Sequence, residues 1–392
     1  MTTTAVDANM PEQLRASEFQ AATERAAVYP DDAGILLLTG EDARDLLNRL
    51  STNEIDPDAP AGEVAVTVLT SDRGRIVDLV YVIHCGDHQV MLTSPGQQQN
   101  VIDFLDKYTI MEDLEVEDIT EQTSLLTVTG PEATEILRAV LDGGNFSMDP
   151  RPGAILDTEP AGAAHDVFVG DPMEGERSFR AWLVIPPVDA ENSEHPPTYH
   201  LIYPDTLIER EVSPYATEER GIAHLEAAGA ASISAATAEA LRIAQARPAY
   251  GSEMSDTYNP LEAGLIGAID FHKGCYIGQE VIARLDTYHK VQKYLVSLSF
   301  DAGPAQAGAL PGSRLVNDDG AAMGVVTSAT VVPSADGARI IGLGYVRTAA
   351  VEIGGTLRVV AEEENGDGDT CITACITAQP LLFGPEKPGT GQ

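Results

Sequence analysis

Lysine is scarce in this chain of 392 residues: five positions carry it, and arginine supplies the rest of the 24 cations. Against them stand 61 carboxylates, for a formal charge of −37. So negative a field repels phosphate, which argues against nucleic acid and anionic membrane as partners. Dispersed acids with few lysines suit molar salt, where the Debye length shrinks to about 3 Å and like-charge repulsion is screened. The composition points to the cytoplasm of a halophile, with an acidic mesophile protein as the plainer alternative. Cysteine is also scarce: Cys85, Cys275, Cys371 and Cys375 are too few for a disulfide scaffold. Cys371 and Cys375 share a strand-like segment without a His or a third Cys nearby, so no metal site is expected. No apolar run approaches the length of about 18 residues that a membrane helix needs. The first twenty residues lack the basic start and apolar run of a secretory signal.

What the chain does have is a patterned aliphatic core, with 43% hydrophobic residues but 5% aromatics, and a length that suggests two or three domains. Residues 1–30 read as a polar arm or helix. An apolar strand then ends in Thr39-Gly40 and is followed by a helix with acids in its first turn. The pattern returns ninety residues later. Leu36, Thr39, Gly40, Ala43 and Leu47 match Leu126, Thr129, Gly130, Ala133 and Leu137, and Pro131 opens the second helix, where a missing N–H costs nothing. This is the signature of a duplication, with units at about 31–120 and 121–290. Alternating strands are expected over 64–69 and 76–83, joined by the turn Ser71-Asp72-Arg73-Gly74, with further strands over 89–92 and 179–185. Helices are expected over 101–108, 215–228 and 235–244. From about residue 291 to the end, short alternating strands separated by turns predict a small β-barrel or sandwich, with the acidic stretch 362–369 as a solvated hairpin tip.

Scarce residue types meet in Lys273-Gly274-Cys275-Tyr276-Ile277-Gly278-Gln279-Glu280. A lysine beside Cys275 favours the thiolate. Gly274 and Gly278 let backbone approach a flat ligand, and the helix opened by Gln279-Glu280 could hold an anion at its N-terminus. By composition alone, an ordinary interdomain turn with a buried cysteine would read the same way. Arg242, Lys273 and Arg284 could form a cationic island for a carboxylate tail, framed by Tyr250 and Glu262. The plainer reading pairs Arg242 with a nearby acid.

The block from Lys273 to Glu280 resembles the signature of the YgfZ family, folate-binding proteins related to the aminomethyltransferase, or T-protein, of the glycine cleavage system. The resemblance runs from about Ile35 to Phe383. It includes Gly74-Arg75-Ile76-Val77-Asp78, Val128-Thr129-Gly130-Pro131, Leu241-Arg242, Pro260-Leu261-Glu262-Ala263-Gly264-Leu265 and Met323-Gly324-Val325-Val326-Thr327-Ser328. It implies an α+β fold in which duplicated subdomains at 31–290 surround a central folate cavity and a C-terminal β-barrel packs alongside. The cofactor implied is tetrahydrofolate or a derivative. The implied site comprises Cys275, Lys273 and Asp78 for chemistry, and Arg242, Tyr250, Glu262, Gly274, Gly278, Gln279, Glu280 and Arg284 for binding.

Two departures from the T-protein pattern bear on function. Asp78 is followed by Leu79 where T-proteins carry two adjacent acids, and the pterin-gripping glutamate has no clean counterpart in 170–182, with Glu176 the nearest substitute. The first reading is therefore a YgfZ-like accessory protein for iron–sulfur clients, acting through Cys275. The second is a folate-dependent aminomethyl- or methyltransferase acting on a small amine or a lipoyl carrier protein. A third is a folate-binding paralogue without chemistry.

Overall fold

Why the chain forms three sheets is visible in its patterning. The computed structural model describes residues 15–142, 163–169, 179–185, 196–204, 214–360 and 372–380. Glu176, Cys371, the acidic stretch 362–369 and most of the polar loop after residue 185 lie outside them.

Along the chain come β1 (Ala27–Pro30), β2 (Gly34–Thr39), β3 (Val64–Thr70), β4 (Ile76–His84), β5 (His88–Thr93), β6 (Glu115–Asp118), β7 (Thr123–Thr129), β8 (Ala163–Val169), β9 (Phe179–Ile185), β10 (Thr198–Pro204) and β11 (Ala231–Ser232). The first sheet runs β3-β4-β5-β2-β6 and the second β8-β9-β10-β7-β1-β11. Strand for strand these are the same order: β7 stands where β2 does, β10 where β5 does, and β1 where β6 does. The helices repeat as well. Ala43–Leu50 follows β2 and Ala133–Asp142 follows β7; Gln98–Tyr108 follows β5 and Pro214–Ala227 follows β10. The segment read as an arm thus holds the helix Ala16–Glu24 and a strand that completes the second sheet, with Ala27 opposite Thr129.

The glycine after each repeat strand explains the sequence match. Gly40 and Gly130 have φ of 117° and 125°. A Cβ would lie 2.0 Å from the Asp113 carbonyl oxygen at Gly40 and 2.5 Å from that of Arg25 at Gly130. Backbone passes so close to both turns that only glycine fits. The helices that follow bury Leu46, Leu47 and Leu50 in one core, and Ile136, Leu137 and Val140 in the other. The sheets meet through a shared cluster in which Ile35, Val90 and Leu92 of the first pack with Leu125 and Ile202 of the second.

The last quarter closes into a six-stranded barrel, β12-β15-β14-β13-β16-β17, from β12 (Lys293–Asp301), β13 (Arg314–Val316), β14 (Ala322–Ser334), β15 (Gly337–Arg347), β16 (Thr356–Val360) and β17 (Ile372–Ala378). Closure removes the exposed edges that short strands would otherwise present. Gly342 and Gly344 are needed where strands cross closely: a Cβ would fall 2.3 Å and 2.6 Å from the facing carbonyl oxygens. No helix among the described residues is long and apolar enough to cross a membrane.

Candidate functional site

A cavity of about 220 Å³ lies where β1, β4, β7 and β10 meet the helix Ala235–Ala244 and the segment after it. Tyr29, Asp31 and His200 form part of its polar wall, and Thr127 lies behind them, between Tyr29 and His200 in the second sheet. Tyr29 pairs with Thr127, and Thr127 with His200, so all three side chains point to the same face. The Thr127 hydroxyl donates to Asp31 Oδ2 at 2.7 Å and meets His200 Nδ1 at 2.9 Å. Burial, then the nearby Asp31 charge, pushes Tyr29 up to about 12. Burial pulls His200 down to about 4, leaving its imidazole neutral at physiological pH. Tyr81 of the first sheet stands edge-on to His200 at 5.9 Å, and burial raises its pKa too.

Asp78 sits at the edge of this space. It is fully buried, and its Oδ2 accepts the backbone N–H of Ser94 at 2.9 Å while Oδ1 accepts that of Leu79 at 2.9 Å. Ser94 and Leu79 both line the cavity. Burial lifts the carboxyl to about 6 against those bonds, which hold the ionised form. Such a group can both hold and release a proton near neutrality. Tyr250, like Leu79 and Tyr81, packs against the buried cluster of Val66, Val68, Ile76 and Met254, and its phenol is raised by burial and then by the Asp78 charge.

Arg242 also lines the cavity, but its donors are already spent. Nε reaches Glu239 Oε2 at 2.8 Å, and one terminal nitrogen reaches Glu253 Oε2 at 2.8 Å and the Arg247 carbonyl at 3.1 Å. The other meets Ser328 Oγ at 3.0 Å and closes an ion pair with Glu239. Glu253, with 0% exposure, also accepts the hydroxyls of Thr327 and Ser328 at 2.6 Å each. This network bolts the helix Ala235–Ala244 to the barrel. The carboxylate tail assigned to Arg242 therefore finds no free donor there, and the plainer ion-pair reading describes it. Arg247 lines the same cavity, and no hydrogen bond from its guanidinium reaches another described residue.

The Lys273–Glu280 block does not line the cavity. It is a strap across the first unit. The Lys273 ammonium donates to the carbonyls of Asn48, Ser51 and Asn53 at 2.7, 3.0 and 2.6 Å, all at the C-terminal end of the helix Ala43–Leu50. A cation there meets the negative end of the helix dipole. Burial still draws its pKa down to about 8. Thr70 Oγ1 donates to the Ile277 carbonyl at 2.6 Å, and Ile277 N–H to the Arg49 carbonyl at 3.1 Å. Gly278, at φ 84°, is pressed on the hairpin turn: a Cβ would lie 2.6 Å from Ser71 O. Its freedom serves packing and not ligand approach, while a Cβ at Gly274 would meet nothing within 4 Å. Lys273, Arg242 and Arg284 share no partner, and Arg284 is exposed at the end of the helix Gln279–Thr287, so the cationic island does not form. Gln279 only reaches back to the Gly274 carbonyl at 3.5 Å, and Glu280 faces solvent. Cys275 is exposed at the crown of the strap, whereas Cys85 and Cys375 are partly buried. Glu262 is buried elsewhere, accepting the Asn259 N–H at 3.2 Å and lying 3.6 Å from Arg75.

Of the residues singled out from sequence, Arg242 lines the cavity, and Asp78 is tied to its lining through Ser94 and Leu79. Tyr29, Asp31, Thr127, His200 and Arg247 were missed as a set. One signal was present: Thr127 interrupts an otherwise apolar stretch of β7. Among the described residues, no group of His, Cys, Asp and Glu could hold a metal ion.

Comparison with known proteins agrees with this architecture. Residues 9–152 match the GCVT N-terminal domain. A chloroplastic protein of Arabidopsis thaliana, provisionally named a transferase, is 31% identical over 327 residues, covering 83% of this chain and 66% of that protein. The aminomethyltransferase of Symbiobacterium thermophilum is 25% identical, with 88% of this chain and 84% of that protein covered. The crystal structure of glycine cleavage system aminomethyltransferase T from Bartonella henselae superposes with a TM-score of 0.70 over 95% of this chain and 92% of that one, at 16% identity, which speaks for the fold. With the matched domain, these relatives and the duplicated body beside a barrel, the chain is similar in sequence and in fold to the T-protein superfamily.

Proposed function

We propose that the chain binds a reduced folate, tetrahydrofolate or a derivative, in the cavity beside the second sheet, and serves iron–sulfur client proteins through Cys275 in the manner of the YgfZ family. A cavity of about 220 Å³ suits the bicyclic head of a folate and leaves its tail to exit. Aromatic Tyr81 and His200 offer ring faces and edges, and Arg247 offers a cation whose donors are not committed to described neighbours. A bound folate would supply the one-carbon unit or its acceptor. The chain's own part is to orient the head and to keep an exchangeable proton on Asp78 at the cavity edge. The observation that carries the accessory reading is Cys275: the block's hydrogen bonds are spent on holding a strap, and that strap exposes its one thiol to solvent.

A second reading, transfer of an aminomethyl or methyl group from an amine or a lipoyl carrier protein, is favoured by Asp78, a buried acid at the cavity edge held near neutrality. One experiment separates them. A deletion strain carrying wild type, Cys275→Ser or Asp78→Asn is assayed for iron–sulfur enzyme activity and for growth on glycine as nitrogen source. The accessory reading expects Cys275→Ser to behave as the deletion in the first assay, with growth on glycine normal. A glycine defect that follows Asp78→Asn, with iron–sulfur enzymes intact, would replace it with the transferase. The acidic surface further supports a saline cytoplasm as the working environment.

A further inference from the structure

We propose that His200 selects the head of the cavity's ligand, by presenting a bare Nε2 lone pair that accepts a hydrogen bond from an N–H donor on the ligand's ring system. The inference rests on the reading that a folate head occupies this cavity, and it follows from counting hydrogens in the polar row. The Thr127 hydroxyl has one hydrogen. Asp31 Oδ2, at 2.7 Å, is an acceptor and takes it. The contact between Thr127 Oγ1 and His200 Nδ1, at 2.9 Å, must then run the other way, with Nδ1–H donating to the hydroxyl oxygen. A neutral imidazole carries one hydrogen, so Nε2 has none. Burial favours that neutral form.

Asp31 is itself held in place. Its Oδ1 accepts the Ala33 N–H at 3.1 Å, so the carboxylate cannot swing away and release the threonine. The chain from Asp31 through Thr127 to His200 thus fixes a tautomer. The ring lines the cavity, and among the described residues no hydrogen bond reaches its second nitrogen. Arg247, on the same cavity, is a donor only. The wall therefore reads a ligand at two points with opposite demands: an N–H donor for His200 and an acceptor or anion for Arg247. A flat heterocycle with ring or exocyclic N–H groups and a carboxylate elsewhere meets both. A purely aromatic ring without N–H leaves the lone pair unpaired, which is costly in a desolvated site.

The test uses the full chain in molar salt and two probes, tetrahydrofolate and para-aminobenzoylglutamate, which keeps the tail but lacks the bicyclic head. His200→Leu removes the acceptor and His200→Gln restores one. The expected result is that His200→Leu weakens tetrahydrofolate by about ten- to a hundredfold, the usual cost of one unsatisfied buried partner. His200→Gln stays within a few-fold of wild type, and para-aminobenzoylglutamate does not distinguish the three. In parallel, nitrogen-15 NMR of the imidazole in the ligand-free wild type should show the Nδ1–H tautomer, and Thr127→Val should lose that preference. Equal tetrahydrofolate affinity in wild type and His200→Leu, or an Nε2–H tautomer in the free protein, would overturn the proposal while leaving folate binding intact. Failure of the wild type to bind tetrahydrofolate at all would instead remove the folate reading, and with it the ligand named for this wall.

Discussion

The two sheets share a strand order but differ in what they turn toward the space between them. In the second, the row across β1, β7 and β10 is Tyr29, Thr127 and His200. The equivalent row of the first, across β6, β2 and β5, is Glu117, Leu37 and Val90, and Val90 is fully buried in the cluster that joins the sheets. The first unit contributes the acid Asp78 and the ring of Tyr81 from β4, while the second contributes the hydrogen-bonded relay. Duplication thus supplied two copies of one scaffold. Where the first presents Leu37 and Val90, which pack, the second presents Thr127 and His200, which hydrogen-bond.

The comparison can be broken in several places. The largest effect is expected at the bolt between body and barrel. Arg242→Ala leaves Glu253 buried with fewer partners, and breaking a buried ion pair costs about 3–5 kcal/mol. Chemical denaturation should show that loss, and Arg247→Ala, measured alongside, should leave stability within about 0.5 kcal/mol. Comparable losses would mean that Arg247, too, is structural.

Next comes the acid of the first sheet. A carboxyl raised to about 6 in the fold, from an ordinary value of 3.8, binds a proton more tightly folded than unfolded. Its contribution is therefore fully present at low pH and falls as pH rises through the window from about 4 to about 6. The full swing is on the order of 2–3 kcal/mol. Stability measured across that window should decline less steeply in Asp78→Asn than in the wild type. Identical slopes would show that Asp78 titrates normally.

The repeat itself is tested at its turns. Gly40→Ala and Gly130→Ala each force a side chain into a left-handed turn and against a carbonyl, at a cost of about 2 kcal/mol or more. If only one variant loses stability, the two turns are not structural equivalents. The smallest effect is global: with a charge of −37, the melting temperature should fall by several degrees between molar and dilute salt, because self-repulsion is no longer screened. A melting temperature independent of salt would remove the halophile reading.

Much of the fold was legible because its signals are local. Alternation marked β3, β4 and the barrel strands; the helix Ala235–Ala244 and the strand Phe179–Ile185 fell where their patterns placed them. The repeated Thr-Gly turn exposed the duplication because its glycines answer to a backbone clash that recurs in both copies. The site was less legible because it is assembled from distant pieces. Tyr29 lies on a four-residue strand with too few positions to show a period, and it acquires its role only by pairing with β7 about a hundred residues away. Arg242 and Arg247 sit five residues apart in one run, and only the surrounding acids, Glu239 and Glu253, reveal which is committed. Lys273 stood out by rarity, but its partners are backbone carbonyls, which leave no trace in side-chain identity.

The central claim is that the polar row of the second sheet makes the cavity a folate site. Calorimetric titration of the full chain with tetrahydrofolate in molar salt tests it most directly, with wild type beside Thr127→Leu, which gives the second sheet the residue that the first carries at the equivalent position. The account expects a saturable binding heat in the wild type and at least a tenfold loss of affinity in Thr127→Leu. Equal affinity in the two, with both proteins folded, would contradict it.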